Sequence, residues 1–256
     1  MFQVLAFINY WLQQADEHSL HSPFVYKLYR ELIKPCRSFR INSVEQLRQQ
    51  LLNNHKYIQL TDFGAGSRVS SSKQRTVSSL AKHASTPPKF SALLHALIGQ
   101  FNMTQVLEFG TSLGLNSLYM STKPEVHLTT FEGDPILCHM ARSHFDQFNR
   151  PNIELIEGPI DETLPLALHR LPKIDMAYLD ANHRYAPTLH YYESVLAACH
   201  HKSIIVIDDI HWSKEMSHAW DTIRKKDEIF VSIDLFEAGL LFLDPGLTRG
   251  HYILHF

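Results

Sequence analysis

Five carboxylates stand at the carboxyl ends of apolar, strand-like runs. Glu108 lies in the run Val106 to Phe109, ahead of Gly110 and Gly114; Glu132 follows Val126 to Phe131; Asp180 ends IDMAYLD; Asp208 and Asp209 end SIIVIDD. The stretch TQVLEFGTSLGLNSLYM reads as strand, glycine turn and helix, with Leu115, Leu118 and Tyr119 at helical spacing. A glycine turn after a parallel strand lets backbone approach a ligand closely, and the helix behind it offers free N–H groups. Thr111 and Ser112 of the turn and Asn116 of the helix are therefore candidate ligand contacts beside Gly110 and Gly114. The turn lacks the full G-x-G-x-x-G and has no Lys after its last glycine, so neither a pyrophosphate cradle nor a P-loop is matched. A carboxylate at Glu108 suits a cationic group and repels a phosphate. Glu132, at the tip of the next strand, stands where an open α/β sheet places a partner for ribose hydroxyls. Adenosine with a positively charged tail satisfies both acids.

Asp180, Asp208 and Asp209 form a second set. Carboxylates brought to one rim repel, so either one holds a proton or a cation joins them; a hard divalent ion such as Mg²⁺ is the natural candidate. Alternatively Asp209 caps the helix that follows, leaving two acids and no metal. His183, three residues after Asp180, has the side chain to accept a hydroxyl proton near neutral pH, to ligate a metal, or to donate a hydrogen bond at a helix start. His211 and Trp212 follow the acid pair as candidate walls of an acceptor pocket, and Trp212 reads equally as packing.

Over about Lys89 to Leu243 these residues resemble class I S-adenosylmethionine-dependent methyltransferases, and among them the small-molecule O-methyltransferases of the catechol and caffeoyl-CoA type. The resemblance implies that Glu108, Gly110 and Gly114, as E-x-G-x-x-x-G, lie by the methionine part of the cofactor, and that Glu132 holds its ribose. Gly158 and Asp161, as G-x-x-[DQ], are implied to contact adenine. The catechol-type enzymes hold Mg²⁺ with Asp, Asp and Asn, which implies Asp180, Asp208 and Asp209 here, the last a departure. They also carry a lysine base three residues after the first Asp, where this chain has His183; that departure bears on the mechanism and not on the cofactor. Lys89 falls where related enzymes line the mouth of the site. HSPFVYKLY together with DFGAGSR is similar to a group of bacterial methyltransferases.

The elements that must position these residues alternate from Thr104 onward. Val106 to Phe109, Leu128 to Phe131, Ile153 to Ile156, Ile174 to Leu179 and Ile204 to Ile207 read as short strands separated by helix-length segments. That alternation predicts an α/β, Rossmann-like, doubly wound and mostly parallel sheet. Ile229 to Leu235 and Leu240 to Leu243 add an antiparallel C-terminal strand pair. Before them, residues 1–88 read as a helical extension or substrate cap, with Pro87 and Pro88 opening a cofactor-binding domain over 89–256. In the extension Phe2 to Leu12 is apolar around much of a helix, so the core or a second subunit is expected to cover it. Ser22 and Pro23 start a second helix that runs to Pro35, and Ser43 with Gln46 suggests a capping box for a third. Asp62 to Ser67, DFGAGS, also matches a cofactor loop, but no acid-tipped strand follows directly; it is expected to be an ordered loop, lid or substrate wall.

With 256 residues and 45% hydrophobic content the chain can bury a sizeable core. A formal net charge of −2 gives no general pull toward nucleic acid, and none is expected as partner. Cys36, Cys138 and Cys199 are widely spaced, which argues for core thiols rather than a disulfide framework and for a cytoplasmic location. No membrane span or export signal is read. The expected activity is O-methylation of a small-molecule acceptor, with Asp180 and His183 as catalytic residues and a homodimer possible. A metal-dependent hydrolase or oxygenase on a similar sheet, and a non-catalytic cofactor-binding protein, are the alternatives.

Overall fold

The computed structural model of the chain describes residues 2–15, 19–61 and 74–256. Two compact units appear, residues 1–35 with 171–256, and residues 36–170, so the first 88 residues are shared between them.

In the first unit, α1 (Phe2–Gln13) buries only Tyr10, whose hydroxyl donates to the Leu254 carbonyl at 2.6 Å. Phe7 and Tyr10 pack their rings on Phe236, and the Ala15 N–H donates to the Ile253 carbonyl. The chain thus covers one edge of this helix, and its apolar outer face stays exposed. α2 (Pro23–Leu28) begins as expected, with Ser22 Oγ accepting from the Val25 N–H and proline in the first turn. It does not stop at Pro35. A wide π turn, Tyr29–Ile33, lets the Lys34 N–H reach back to the Tyr29 carbonyl, and α3 (Lys34–Cys36) carries the helix through the proline.

The second unit starts with α4 (Asn42–Leu52), which lacks the expected capping box. The Ile41 carbonyl already accepts from the N–H groups of Val44 and Glu45, so Ser43 lies inside the first turn rather than at its cap. β1 (Tyr57–Gln59) and β2 (Gln74–Thr76) pair antiparallel, and the DFGAGS motif lies outside the described residues. α5 (Val77–His83) is capped by Thr76, and α6 (Pro88–Gln100) opens at the proline pair, with Lys89 in its first turn. β3 (Gln105–Phe109), α7 (Leu115–Met120), β4 (His127–Glu132), α8 (Pro135–Gln147), β5 (Ile153–Glu157) and α9 (Ile160–Arg170) then alternate. β3, β4 and β5 are parallel neighbours with Phe109, Phe131 and Ile156 in register, so Gly110, Glu132 and Glu157 share one edge.

The first unit resumes with β6 (Ile174–Leu179), α10 (Tyr185–Ala198), β7 (Cys199–Asp208) and α11 (Lys214–Ile223). β8 (Val231–Asp234) and β9 (Ala238–Phe242) form the antiparallel pair expected from the sequence, and β9 also runs antiparallel to β7. β10 (Gly250–Ile253), parallel to β8, has too little apolar content to be read from sequence. Gly239 allows β9 to lie under the indole of Trp220, where a Cβ would stand 2.4 Å from the ring. The fold is α/β and Rossmann-like, mostly parallel, with an antiparallel strand near the C-terminus and helices ahead of the sheet. The three cysteines are buried and free, and among the described residues no helix is long and apolar enough to cross a membrane.

Candidate active site

Within residues 36–170 the candidate cofactor residues collect at the carboxyl ends of β3, β4 and β5. The turn from Gly110 to Gly114 needs left-handed backbone at three positions: Gly110 (φ 90), Ser112 (φ 50) and Gly114 (φ 76). Gly114 is required twice over, since a Cβ there would also stand 2.6 Å from the Phe145 ring of α8. The N–H groups of Gly110 and Thr111 both donate to the Phe131 carbonyl at 3.0 Å, which fixes the turn to β4.

Glu108 lies under this turn and has no exposed surface. Its Oε1 accepts from Asn116 Nδ2 at 2.9 Å, and its Oε2 accepts from the hydroxyls of Ser117 and of Thr130, the latter at 2.8 Å. Thr111 Oγ1 bonds Thr130 Oγ1 at 2.6 Å, so the network ties β3, β4, the turn and α7 together. Burial pushes the Glu108 carboxyl up to about 7, against those three hydrogen bonds. Glu132 receives two backbone donors, Ser112 N–H at 2.8 Å and Asp134 N–H at 2.9 Å, and burial raises its carboxyl above the ordinary range. The Gly158 N–H donates to the Glu132 carbonyl, while Asp161 is exposed in the first turn of α9. Two buried atoms of the turn region, Ser112 Oγ and Asn116 Oδ1, have no hydrogen-bond partner among the described residues. Orphaned acceptors beside a glycine cradle and an acid fit a ligand rich in N–H and O–H donors, as an adenosyl amino acid is.

Within the other unit the structure brings Asp180, His183, Asp208 and Asp209 together. Leu179 and Ile207 are in register on β6 and β7, which sets Asp180 level with Asp208. His183 Nε2 lies 3.5 Å from Asp180 Oδ1, and its Nδ1 3.8 Å from Asp209 Oδ2. Asn182 (φ 57) and Asp209 (φ 54) hold left-handed backbone on either side, a strained pair that turns both loops sharply. Burial, then the charges of Asp180 and Asp209, push the Asp208 carboxyl well above the carboxylate range; His183 and the Tyr178 hydroxyl oppose them. The charge of the set suits a hard divalent cation. Its arrangement does not, since among the described residues no three His, Cys, Asp or Glu side chains converge to hold a metal. His211 bridges Asp234 at 2.7 Å and Ser217 at 3.2 Å.

Three contributors escaped the sequence reading. Ser117 and Thr130 satisfy Glu108, and Tyr178 donates to Asp180 at 3.3 Å. The signals were present: a threonine pair inside an apolar strand, and a tyrosine two residues before a strand-end acid, hence on the same face.

A model of the methyltransferase domain family matches residues 107–210. No curated protein sequence matches the chain. Solved structures similar to it include an O-methyltransferase from Bacillus cereus in complex with S-adenosylhomocysteine, 15% identical with TM-score 0.54, covering 62% of this chain and 82% of that one. The O-methyltransferase TomG from Streptomyces achromogenes, involved in tomaymycin synthesis and bound to S-adenosylmethionine, is 17% identical with TM-score 0.54 and the same coverage. The Podospora anserina methyltransferase PaMTH1, bound to S-adenosylhomocysteine, is 14% identical with TM-score 0.55, over 80% of this chain and 97% of that one.

Proposed function

We propose, from the premise that residues 107–210 form a methyltransferase domain, that the chain is an O-methyltransferase transferring methyl from S-adenosylmethionine to a hydroxyl of a small acceptor. The observation that carries this reading is the glycine turn with its two orphaned acceptors, set beside an acid-tipped second strand. Structures of similar fold named as O-methyltransferases and bound to this cofactor or its product support it.

S-adenosylmethionine supplies a methyl group on a sulfonium, ready for in-line displacement. Glu132 accepts from the ribose hydroxyls while Ser112 and Asp134 hold its carboxylate in place. Asn116 Oδ1 accepts from the methionine ammonium, and Glu108, by anchoring Nδ2, fixes which end of that amide faces the ligand. Gly158 and Asp161 contact the adenine. On the acceptor side His183 takes the hydroxyl proton at Nδ1, the nitrogen held more loosely, while Asp180 orients the ring and offsets the imidazolium charge. Positioning supplies much of the rate, because the methyl is already activated. A second reading, Mg²⁺ held by Asp180, Asp208 and Asp209, would need these side chains to converge further than they do here; turnover stimulated by Mg²⁺ and lost in Asp180→Ala supports it.

Calorimetric titration with S-adenosylhomocysteine tests the cofactor. Micromolar binding is expected, weakened at least about tenfold in Glu132→Ala by loss of a charge-assisted contact. Absence of binding to the wild-type protein overturns the reading and favours a metal-centred hydrolase or oxygenase.

A further inference from the structure

We infer that the outer face of α1 is the contact between two copies of this chain, independently of the methyl-transfer reading. α1 reads FQVLAFINYWLQ and carries no charged residue. Its inner edge is occupied: Tyr10 is tied to Leu254, and Phe7 and Tyr10 rest on Phe236. On the outside Val4, Leu5, Ile8, Trp11 and Leu12 are exposed by 63, 56, 45, 63 and 67%. Leu5, Ile8 and Leu12, with Val4 and Trp11, recur at three- and four-residue spacing and make one continuous stripe. The exposed apolar area is roughly 600 Å², at the upper limit for the largest patch of an ordinary monomer.

A second copy is the occupant that these properties select. A stable interface needs about 800 Å² from each partner, most of which this stripe supplies. A two-fold axis across α1 sets the stripe against itself, and an uncharged apolar surface is self-complementary without any pairing of charges. A bilayer is the less favoured occupant. Helices that lie in a membrane interface present Lys and Arg to the headgroups; here the helix has none, the next ionisable residues are Asp16 and Glu17, and the chain carries a net charge of −2.

Sedimentation velocity of the full chain from about 1 to 100 μM is expected to show a dimer. The double variant Leu5→Glu/Trp11→Glu is expected to dissociate at least about 100-fold more readily, since four buried charges would face one another across the axis. Its far-ultraviolet circular dichroism, unchanged from wild type, and a thermal midpoint equal to that of the wild type diluted to monomer separate loss of the interface from loss of the fold. Trp11 emission is expected to shift to the blue as the wild-type dimer forms. A wild-type monomer across the whole range overturns the inference, as does a dimer that survives the double variant. Flotation of a wild-type monomer with phosphatidylcholine and phosphatidylserine vesicles overturns it in favour of the membrane.

Discussion

Glu108→Gln is expected to flatten the dependence of stability on pH. In the unfolded chain this carboxyl titrates at 4.5 and in the fold at about 7, because burial outweighs three hydrogen bonds. An acid whose folded value is raised binds its proton more tightly in the native state. Its contribution to stability is therefore fully present below 4.5 and is lost as pH rises through about 7. The interval corresponds to about 3 kcal/mol, the full amount applying because the group is completely buried. Gln has the size to replace it. Its carbonyl oxygen accepts from the hydroxyls of Ser117 and Thr130, and its amide donates to Asn116 if that side chain turns over to present the Oδ1 that is now unpaired. Urea unfolding of both proteins from pH 5 to 8 isolates the effect, because every other titrating group is common to the two and cancels in the difference. The wild type is expected to lose about 2–3 kcal/mol relative to the variant over that range. Parallel curves would refute the raised carboxyl and, with it, the claim that burial governs this position.

Gly114→Ala is expected to cost about 2–3 kcal/mol and to abolish S-adenosylhomocysteine binding, since the new Cβ meets the Phe145 ring at 2.6 Å and the backbone at φ 76 disfavours any side chain; calorimetry and a urea melt report the two effects separately. His183→Ala is expected to lower kcat by about 10²–10⁴ with S-adenosylhomocysteine affinity unchanged, and equal loss in both would assign the imidazole to binding instead. Asp208→Asn is expected to raise the thermal midpoint at pH 7: the native carboxyl titrates well above 3.8, so its contribution is present below that value and lost as pH rises. A lowered midpoint contradicts this, and Mg²⁺ that stabilises the wild type but not the variant points to the metal reading.

Most of the strand framework was legible because its signal is local. The runs Ile174 to Leu179 and Ile153 to Ile156 are bounded by polar or proline-rich segments, and each acid or glycine that ends a strand marks its carboxyl end. The glycine turn was legible for the same reason, since only certain residue types tolerate its backbone. What escaped depends on partners far along the chain. The widened turn at Tyr29–Ile33 is a choice of hydrogen bond that composition does not encode, and it carries the helix past a proline that ordinarily stops one. β10 exists because β8 offers an unpaired edge, a fact absent from the residues GHYI themselves.

Glu108 shows the limit most sharply. From sequence it is a charge in front of a glycine, and a charge there suggests direct attraction to a cationic ligand. In the structure its oxygens are occupied by Asn116, Ser117 and Thr130, and no surface of the residue is exposed. Glu108 orients the Asn116 amide, whose buried Oδ1 has no hydrogen-bond partner among the described residues. A residue type at a strand end therefore marks a candidate site, while burial decides which of its atoms are taken up by the protein. The second acid set differs: three carboxylates and an imidazole remain partly open at the ends of β6 and β7, where burial, followed by the charges of Asp180 and Asp209, raises the Asp208 carboxyl. Glu108 is spent on holding the turn, whereas Asp180, Asp208 and Asp209 stay partly exposed.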